Sequence, residues 1–237
     1  CPAIWEEPMH YDTLLFDLDG TLLDFRQTEA LSLAELFAAH GIPFTASLHR
    51  DYMEINDALW AQYERREITM EQVLSTRFAK IMLQLGQQVD GAAWERDYRA
   101  RMGRNARAME GAQQVCAQLC QTHRLYVVTN GVRRTQIERL ERTGLLHFFK
   151  EIFDSQSIGA QKPYPEFFSR VADAIEGFCK ERTLLIGDSL TADIRGGNDA
   201  GIDTCWFCPT PPTQPPAVSP TYTVHSLYEL PSLCTSG

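Results

Sequence analysis

The feature that most constrains this chain is a set of short, unbroken apolar runs. Leu14-Leu15-Phe16, Leu125-Tyr126-Val127-Val128, Thr183-Leu184-Leu185-Ile186 and residues 202–207 show no in-out alternation. Such runs predict strands buried on both faces, as in a parallel sheet. Helical patterns fall between the later runs, at 112–121, 133–142, 166–175 and 192–200. Strands alternating with helices imply an α/β protein whose parallel sheet is covered on both faces. A shorter strand is expected around Ile152-Phe153, a last one at 221–224, and a short helix from Ser226.

Residues 27–104 are too many for one crossover, and they read as almost entirely helical. Leu31, Leu33, Ala34, Leu36 and Phe37 recur at helical spacing before Gly41-Ile42-Pro43 stops the helix. A second helix is expected over 48–66. Thr69 is placed to cap a third that ends at Gly86, and Asp90 to cap a fourth. The segment is read as a compact helical bundle inserted after the first strand.

A chain of 237 residues suffices for one full core and a smaller accessory domain. Its net charge of −9 argues against nucleic-acid polymers and anionic membranes as partners. An anionic substrate would therefore need positive charge concentrated locally. No apolar run is long enough to span a bilayer. Residues 1–10 lack a basic segment followed by an apolar one, so no secretory signal is expected and a cytoplasmic location is. Met9 is a candidate start of translation. The seven cysteines are odd in number and scattered, which speaks against a disulfide framework. Cys205-Trp206-Phe207-Cys208 has the spacing of a redox or metal pair but stands alone, so burial is its expected role; Cys116 and Cys120, one turn apart, are expected to face a core. Residues 209–220, rich in proline, are expected to form an exposed loop.

The chemistry gathers where strands end. Asp17-Leu18-Asp19-Gly20-Thr21 closes the first run, and alternation places Asp17 and Asp19 on one side. Two adjacent carboxylates repel and call for a cation or a shared proton. In open parallel sheets, ligands bind beyond the carboxyl ends of the strands. The second strand ends in Thr129-Asn130-Gly131, whose hydroxyl, amide and glycine N–H would make an oxyanion cradle. Lys162-Pro163 follows the third strand, where the lysine can neutralise a phosphate. The fourth ends in Gly187-Asp188, and Asp193 lies at the start of a helix, placed to cap it or to hold a water.

This ordered set resembles the phosphatase branch of the haloacid dehalogenase superfamily, over nearly the whole chain. The resemblance implies a Rossmann-like, doubly wound parallel sheet core, residues 9–25 and 105–237, with an inserted all-helical cap, residues 26–104. It implies Asp17 as nucleophile and Asp19 as general acid and base. It also implies Mg²⁺ held by Asp17, the main-chain carbonyl of Asp19, and Asp188, with Thr129, Asn130 and Lys162 on the phosphoryl oxygens. The residue types suit that chemistry independently. A carboxylate attacking a phosphate dianion needs its repulsion offset, which an oxygen-liganded Mg²⁺ and a lysine do. Attack forms an aspartyl-phosphate and splits one hard step into two. Dehalogenases lack a second aspartate like Asp19, whereas mutases share it.

The cap residues narrow the substrate. Asn56 and Trp60 lie one helical turn apart, and Thr76-Arg77-Phe78 follows. These residues, with residues 137–144 and 200–206, look like those of a house-cleaning pyrimidine 5′-nucleotidase subgroup. Trp60 or Phe78 would stack on a base, and Asn56 or Arg77 would hydrogen-bond its edge. The alternative places the aromatics in the bundle core and Arg77 in solvent. The expected partner is a small phosphorylated metabolite, a nucleoside monophosphate foremost. Rival readings are a phosphoglycolate or sugar-phosphate phosphatase, a phosphosugar mutase, and a non-catalytic phosphate-binding protein. The oligomeric state is not legible.

Overall fold

A computed structural model describes residues 11–235; Cys1 and the candidate start Met9 lie outside the described residues. The chain forms two compact units, one made of the residues up to Asp24 together with those from Ala108 on, the other of Phe25–Arg107. It opens with strand β1 (Thr13–Phe16) and then enters the helical unit: α1 (Phe25–Ala39), α2 (Ala46–Glu64), α3 (Met70–Gln84) and α4 (Gly91–Arg104).

Caps set the helix starts. Thr69 and Gln72 form a reciprocal capping box on α3, and the Asp90 carboxylate accepts from the N–H groups of Ala92 and Ala93. Helix α2 begins two residues earlier than its apolar pattern suggests, because Thr45 caps it by accepting from the Leu48 N–H. The unit's interior is rich in aromatics: Phe37, Tyr52, Phe78, Trp94 and Tyr98 pack together. Phe78 is fully buried there, so this aromatic is bundle core and not a surface for a base.

The α/β unit continues with α5 (Ala112–Leu119), β2 (Arg124–Thr129), α6 (Arg133–Arg142), β3 (Glu151–Asp154), α7 (Ser155–Ile158) and α8 (Pro165–Ala174). It ends with β4 (Thr183–Gly187), α9 (Gly196–Ala200), β5 (Asp203–Phe207), β6 (Tyr222–Val224) and α10 (Leu230–Thr235). All six strands are parallel, in the order β3-β2-β1-β4-β5-β6. Leu14 and Phe16 pack on one face with α5 and α10, and Leu15 on the other with α8. Burial on both faces is why the strands read as continuous apolar runs. The single helix expected over 192–200 is instead a π-helical turn over 190–195 followed by α9. Such turns are frequent where a helix must aim a functional side chain. Cys205 is buried in β5 and Cys208 leaves the strand end, while 209–220 carries no regular structure. Cys116 is buried, but Cys120 is only half-buried at the end of α5. Among the described residues, no helix is long and apolar enough to cross a membrane.

The strand order sets the site. The chain builds the sheet outward from β1 through β2 to β3, then returns to the other side of β1 for β4. Side chains after β1 and β4 therefore face a crevice at the point where the order reverses. The register is even: Phe16 lies level with Val127 and Ile186, so Asp17, Thr129 and Asp188 emerge at nearly one height.

Candidate active site

Lys162 sits at the centre of this crevice. Its side chain is 2% exposed, and its ammonium donates to Asp17 Oδ1 at 2.7 Å, Asp193 Oδ1 at 2.6 Å and the Val128 carbonyl at 3.0 Å. Three acceptors satisfy its three N–H bonds. Burial works against its charge, but Asp17 and Asp193 outweigh that, and the ammonium is held well above its ordinary pKa. The same burial raises Asp17 well above the usual carboxylate range; Lys162 opposes the rise, and Asp193, Asp188 and Asp19 add to it. Asp188 is pushed up to about 7, by lost hydration first and then by Asp193.

The local chain explains how Asp17, Asp188 and Asp193 come so close. Gly20 has φ +90°, and a Cβ on it would lie 2.2 Å from Asp188 Oδ2. Only glycine lets Asp188 approach the loop after β1. Asp193 is not the cap of its helix. Ser189 takes that place, accepting from the Ala192 N–H, and Asp193 turns inward with Oδ2 accepting from the Ser189 N–H. Trp206 fixes the Asp188 main chain by donating from Nε1 to its carbonyl at 2.9 Å, which gives part of the Cys205–Cys208 segment a purpose its cysteine spacing hid.

Asp17, Asp188 and Asp193 each present an oxygen within 4.8 Å of the others. Among the described residues Lys162 is the cation that pairs with them, so the three carboxylates, once ionised, carry surplus negative charge. Hard oxygen donors and that surplus fit a cation such as Mg²⁺ better than a soft metal. Asp19 does not join the group through its side chain. Its carboxylate turns to α6, where Arg139 and Gln136 hold it, leaving its main-chain carbonyl for the metal role the resemblance implies.

Several sequence-based roles change on contact with the geometry. The Asn130 amide accepts from the Lys162 N–H at 2.9 Å and donates to the Lys162 carbonyl at 3.0 Å. It clasps the lysine's loop with its oxygen and one of its two Nδ2–H bonds. The Gly131 N–H is not free either; it donates to Thr129 Oγ1 at 2.9 Å, the local side-chain turn that such a residue makes. Of the expected cradle, the Thr129 hydroxyl and one Asn130 Nδ2–H remain as side-chain donors.

In the helical unit, Arg77 is 4% exposed and bidentate to Glu95, at 2.7 and 2.8 Å, with a third bond to Asn56 Oδ1 at 2.9 Å. It also lies over the Tyr98 ring, 4.7 Å from its centroid. Arg77 and Asn56 thus serve each other in a buried polar network and are not free to read the edge of a base. Asn56 falls on the buried stripe of α2 with Tyr52 and Leu59. Trp60 is half-buried and meets Tyr63 edge-on, with ring centroids 5.6 Å apart.

Sequence reasoning missed Gln136, Arg139, Glu95 and the lysine-binding role of Asp193. One signal was available for the first two. Helix α6 holds only two large apolar residues, Ile137 and Leu140, too few to cover a sheet by themselves, so polar neighbours had to be buried with them.

The profile of the haloacid dehalogenase-like hydrolases matches residues 11–201. The chain belongs to that family. It is 44% identical over 220 residues to a Bacillus subtilis protein described as the HAD-hydrolase YfnB, covering 93% of this chain and 94% of that one. It is 38% identical to the pyrimidine 5′-nucleotidase PynA of Streptococcus pneumoniae, over 94% of each chain. With the pyrimidine 5′-nucleotidase YjjG of Escherichia coli it shares 31%, over 95% and 98%. Among solved structures, magnesium-bound YfnB matches with a TM-score of 0.89 over 96% of this chain and 100% of that one, at 43% identity.

Proposed function

We propose that this hydrolase is a Mg²⁺-dependent phosphomonoesterase working through Asp17, with nucleoside 5′-monophosphates, pyrimidine ones foremost, as its substrates. The observation that carries the chemistry is the buried Asp17–Lys162 pair at the end of the central strand, beside the Asp188 and Asp193 carboxylates. The metal would be held by Asp17, Asp188 and the Asp19 carbonyl, and when bound it would supply the positive charge that lets a carboxylate approach a phosphate dianion. Asp17 attacks phosphorus, and the bond to the leaving oxygen breaks as Asp19 protonates it. Asp19 then takes a proton from water as that water attacks the aspartyl-phosphate. Asp17 is released as carboxylate, with inorganic phosphate as product. Lys162, whose N–H now on Asp17 would turn to a phosphoryl oxygen as Asp17 attacks, and the Thr129 hydroxyl would hold the phosphoryl oxygens.

The nucleotide reading is supported by the relatives PynA and YjjG, which match over nearly the full chain. In the helical unit, which we read as a cap, half-buried Trp60 is the residue proposed to stack on the base. A panel of phosphomonoesters tests both levels, with Asp17→Asn as the inactive control. Pyrimidine nucleotides should lead, and a chelator should abolish turnover until Mg²⁺ is restored. Trp60→Ala should lower kcat/KM for a nucleotide by about tenfold while sparing acetyl phosphate. A wide preference for phosphoglycolate or a hexose phosphate would overturn the substrate assignment, and activity surviving exhaustive chelation would overturn the metal.

A further inference from the structure

We propose that Gln136 and Arg139 are positioning residues for catalysis: a clamp on α6 that fixes the Asp19 carboxylate and, through Gln136, the direction in which Thr129 donates. The proposal rests on the reading of Asp19 as general acid and base.

The contacts form a closed set. Arg139 Nη1 donates to Asp19 Oδ1 at 2.5 Å and to Gln136 Oε1 at 2.8 Å. Gln136 Nε2 donates to Asp19 Oδ2 at 2.8 Å and to Thr129 Oγ1 at 3.1 Å. The two residues are three apart on one helix and so share a face. A guanidinium has no acceptor, so its neighbour must be the amide oxygen of Gln136. That choice turns the amide NH₂ toward Asp19 and Thr129, and the sense of every bond in the set is thereby determined.

Each bond has a consequence for the reaction. A carboxylate oxygen offers two lone-pair directions. The clamp occupies one on each Asp19 oxygen and leaves the other for the proton in transit. Held at both oxygens, the group cannot swing about its side-chain bonds, and proton transfer demands placement within hydrogen-bond reach of the leaving oxygen. Thr129 Oγ1 accepts from both Gly131 N–H and Gln136 Nε2, so its own hydrogen is left to point elsewhere, as a donor. Gly131 is what admits Gln136, since a Cβ there would lie 2.2 Å from Nε2.

The asymmetry of exposure points the same way. The Arg139 side chain is 2% exposed, while the Asp19 side chain is 30% exposed. A helix of the α/β unit buries a charged side chain at a cost and aims it at a carboxylate that is still open to solvent. A simple packing ion pair needs neither the second bond through Gln136 nor the link to Thr129.

The test is the dependence of kcat/KM on the leaving group. Wild type, Gln136→Met, Arg139→Met and Arg139→Lys are compared on phosphomonoesters running from 4-nitrophenyl phosphate to simple alkyl phosphates. Alkyl leaving groups need the proton from Asp19, and nitrophenolate does not. Arg139→Met should lose on the order of 100-fold on alkyl esters but less than about threefold on the nitrophenyl ester. Gln136→Met should show the same difference on top of a loss of up to about tenfold common to all esters, because it also frees the Thr129 hydroxyl. The plot of log kcat/KM against leaving-group pKa therefore steepens, and Arg139→Lys should recover part of the slope. Adding Arg139→Met to Asp19→Asn should cost little more on alkyl esters, because the clamp has nothing to position once the acid is gone. A loss equal for all esters, or no loss, overturns the clamp. If Arg139→Met fails to fold, Gln136→Met, which replaces one neutral side chain by another of similar length, decides the question alone. A wild type inert on every ester would instead defeat the phosphatase reading, and the clamp with it; a working wild type with unchanged slopes defeats the clamp only.

Discussion

At the scale of single residues, the site is a problem of crowded negative charge. Gly20 makes the crowding feasible, and its replacement gives a direct check. In Gly20→Ala the new Cβ would meet Asp188 Oδ2 at 2.2 Å, on a backbone with φ +90°. Asp188 must move, so Mg²⁺ affinity measured by calorimetry should fall at least tenfold, and stability should drop by about 1–3 kcal/mol. Charge also sets a pH dependence. The Asp188 carboxyl stands at about 7 in the folded chain against 3.8 for a free one. An acid raised on folding favours the fold while protonated. Its contribution is whole below about pH 4 and lost as the pH passes 7. In chelator, Asp188→Asn should therefore gain stability relative to wild type as the pH climbs from about 4 to 8, because it has no carboxylate to ionise. The side chain keeps access to solvent, which makes the gain smaller than the shift alone suggests. Denaturant titration across that range reads it, and a flat difference would contradict the charge balance described here. The same linkage predicts that Mg²⁺ raises the melting temperature more at pH 8 than at pH 5.

At the scale of elements, the helical unit is organised by its buried polar network as much as by its aromatic core. Arg77 on α3 joins Glu95 on α4 and Asn56 on α2, so one guanidinium ties three helices together. Burial opposes its charge, Glu95 more than offsets it, and the guanidinium is held well above its ordinary pKa. Arg77→Met leaves the Glu95 carboxylate buried with Arg99, a half-exposed neighbour at 3.3 Å, as its remaining ion-pair partner. The expected cost is about 3 kcal/mol of stability, read by denaturant unfolding, with KM for a nucleotide little changed in the folded protein. Unchanged stability with a large rise in KM would return Arg77 to the role of substrate contact that its position in the sequence suggested.

At the scale of the whole molecule, the chain leaves and re-enters the α/β unit through neighbouring points. Leu23 and Ala108 form an antiparallel bridge, and the Met109 N–H donates to the Leu22 carbonyl at 2.8 Å. An insertion whose ends are already paired adds little to the closure entropy of the sheet around it. Replacing residues 25–107 by a short glycine-serine linker should therefore leave an α/β unit that unfolds cooperatively and still binds Mg²⁺. Circular dichroism melts with and without the metal check this. A shortened chain that never folds would mean that the α/β unit depends on the helical one.

What the sequence determined by itself is whatever depends on local pattern. Unbroken apolar runs require burial on both faces, so the parallel sheet was legible, as were Thr69 and Asp90 as caps, because each acts on the next few residues. The positions of Asp17 and Asp188 at the ends of β1 and β4 were legible too, since polar groups that break an apolar run must sit where the strand stops, whereas Lys162 reaches the site from beyond β3 and α7. What only the tertiary structure decided is where each polar side chain spends its hydrogen bonds. Asn130 reaches Lys162 across 32 positions, Gln136 reaches Asp19 across 117, and Arg77 reaches Glu95 across 18. No local pattern encodes those pairings. A buried polar group must find a partner, and the partner is whichever group the packing brings within about 3 Å.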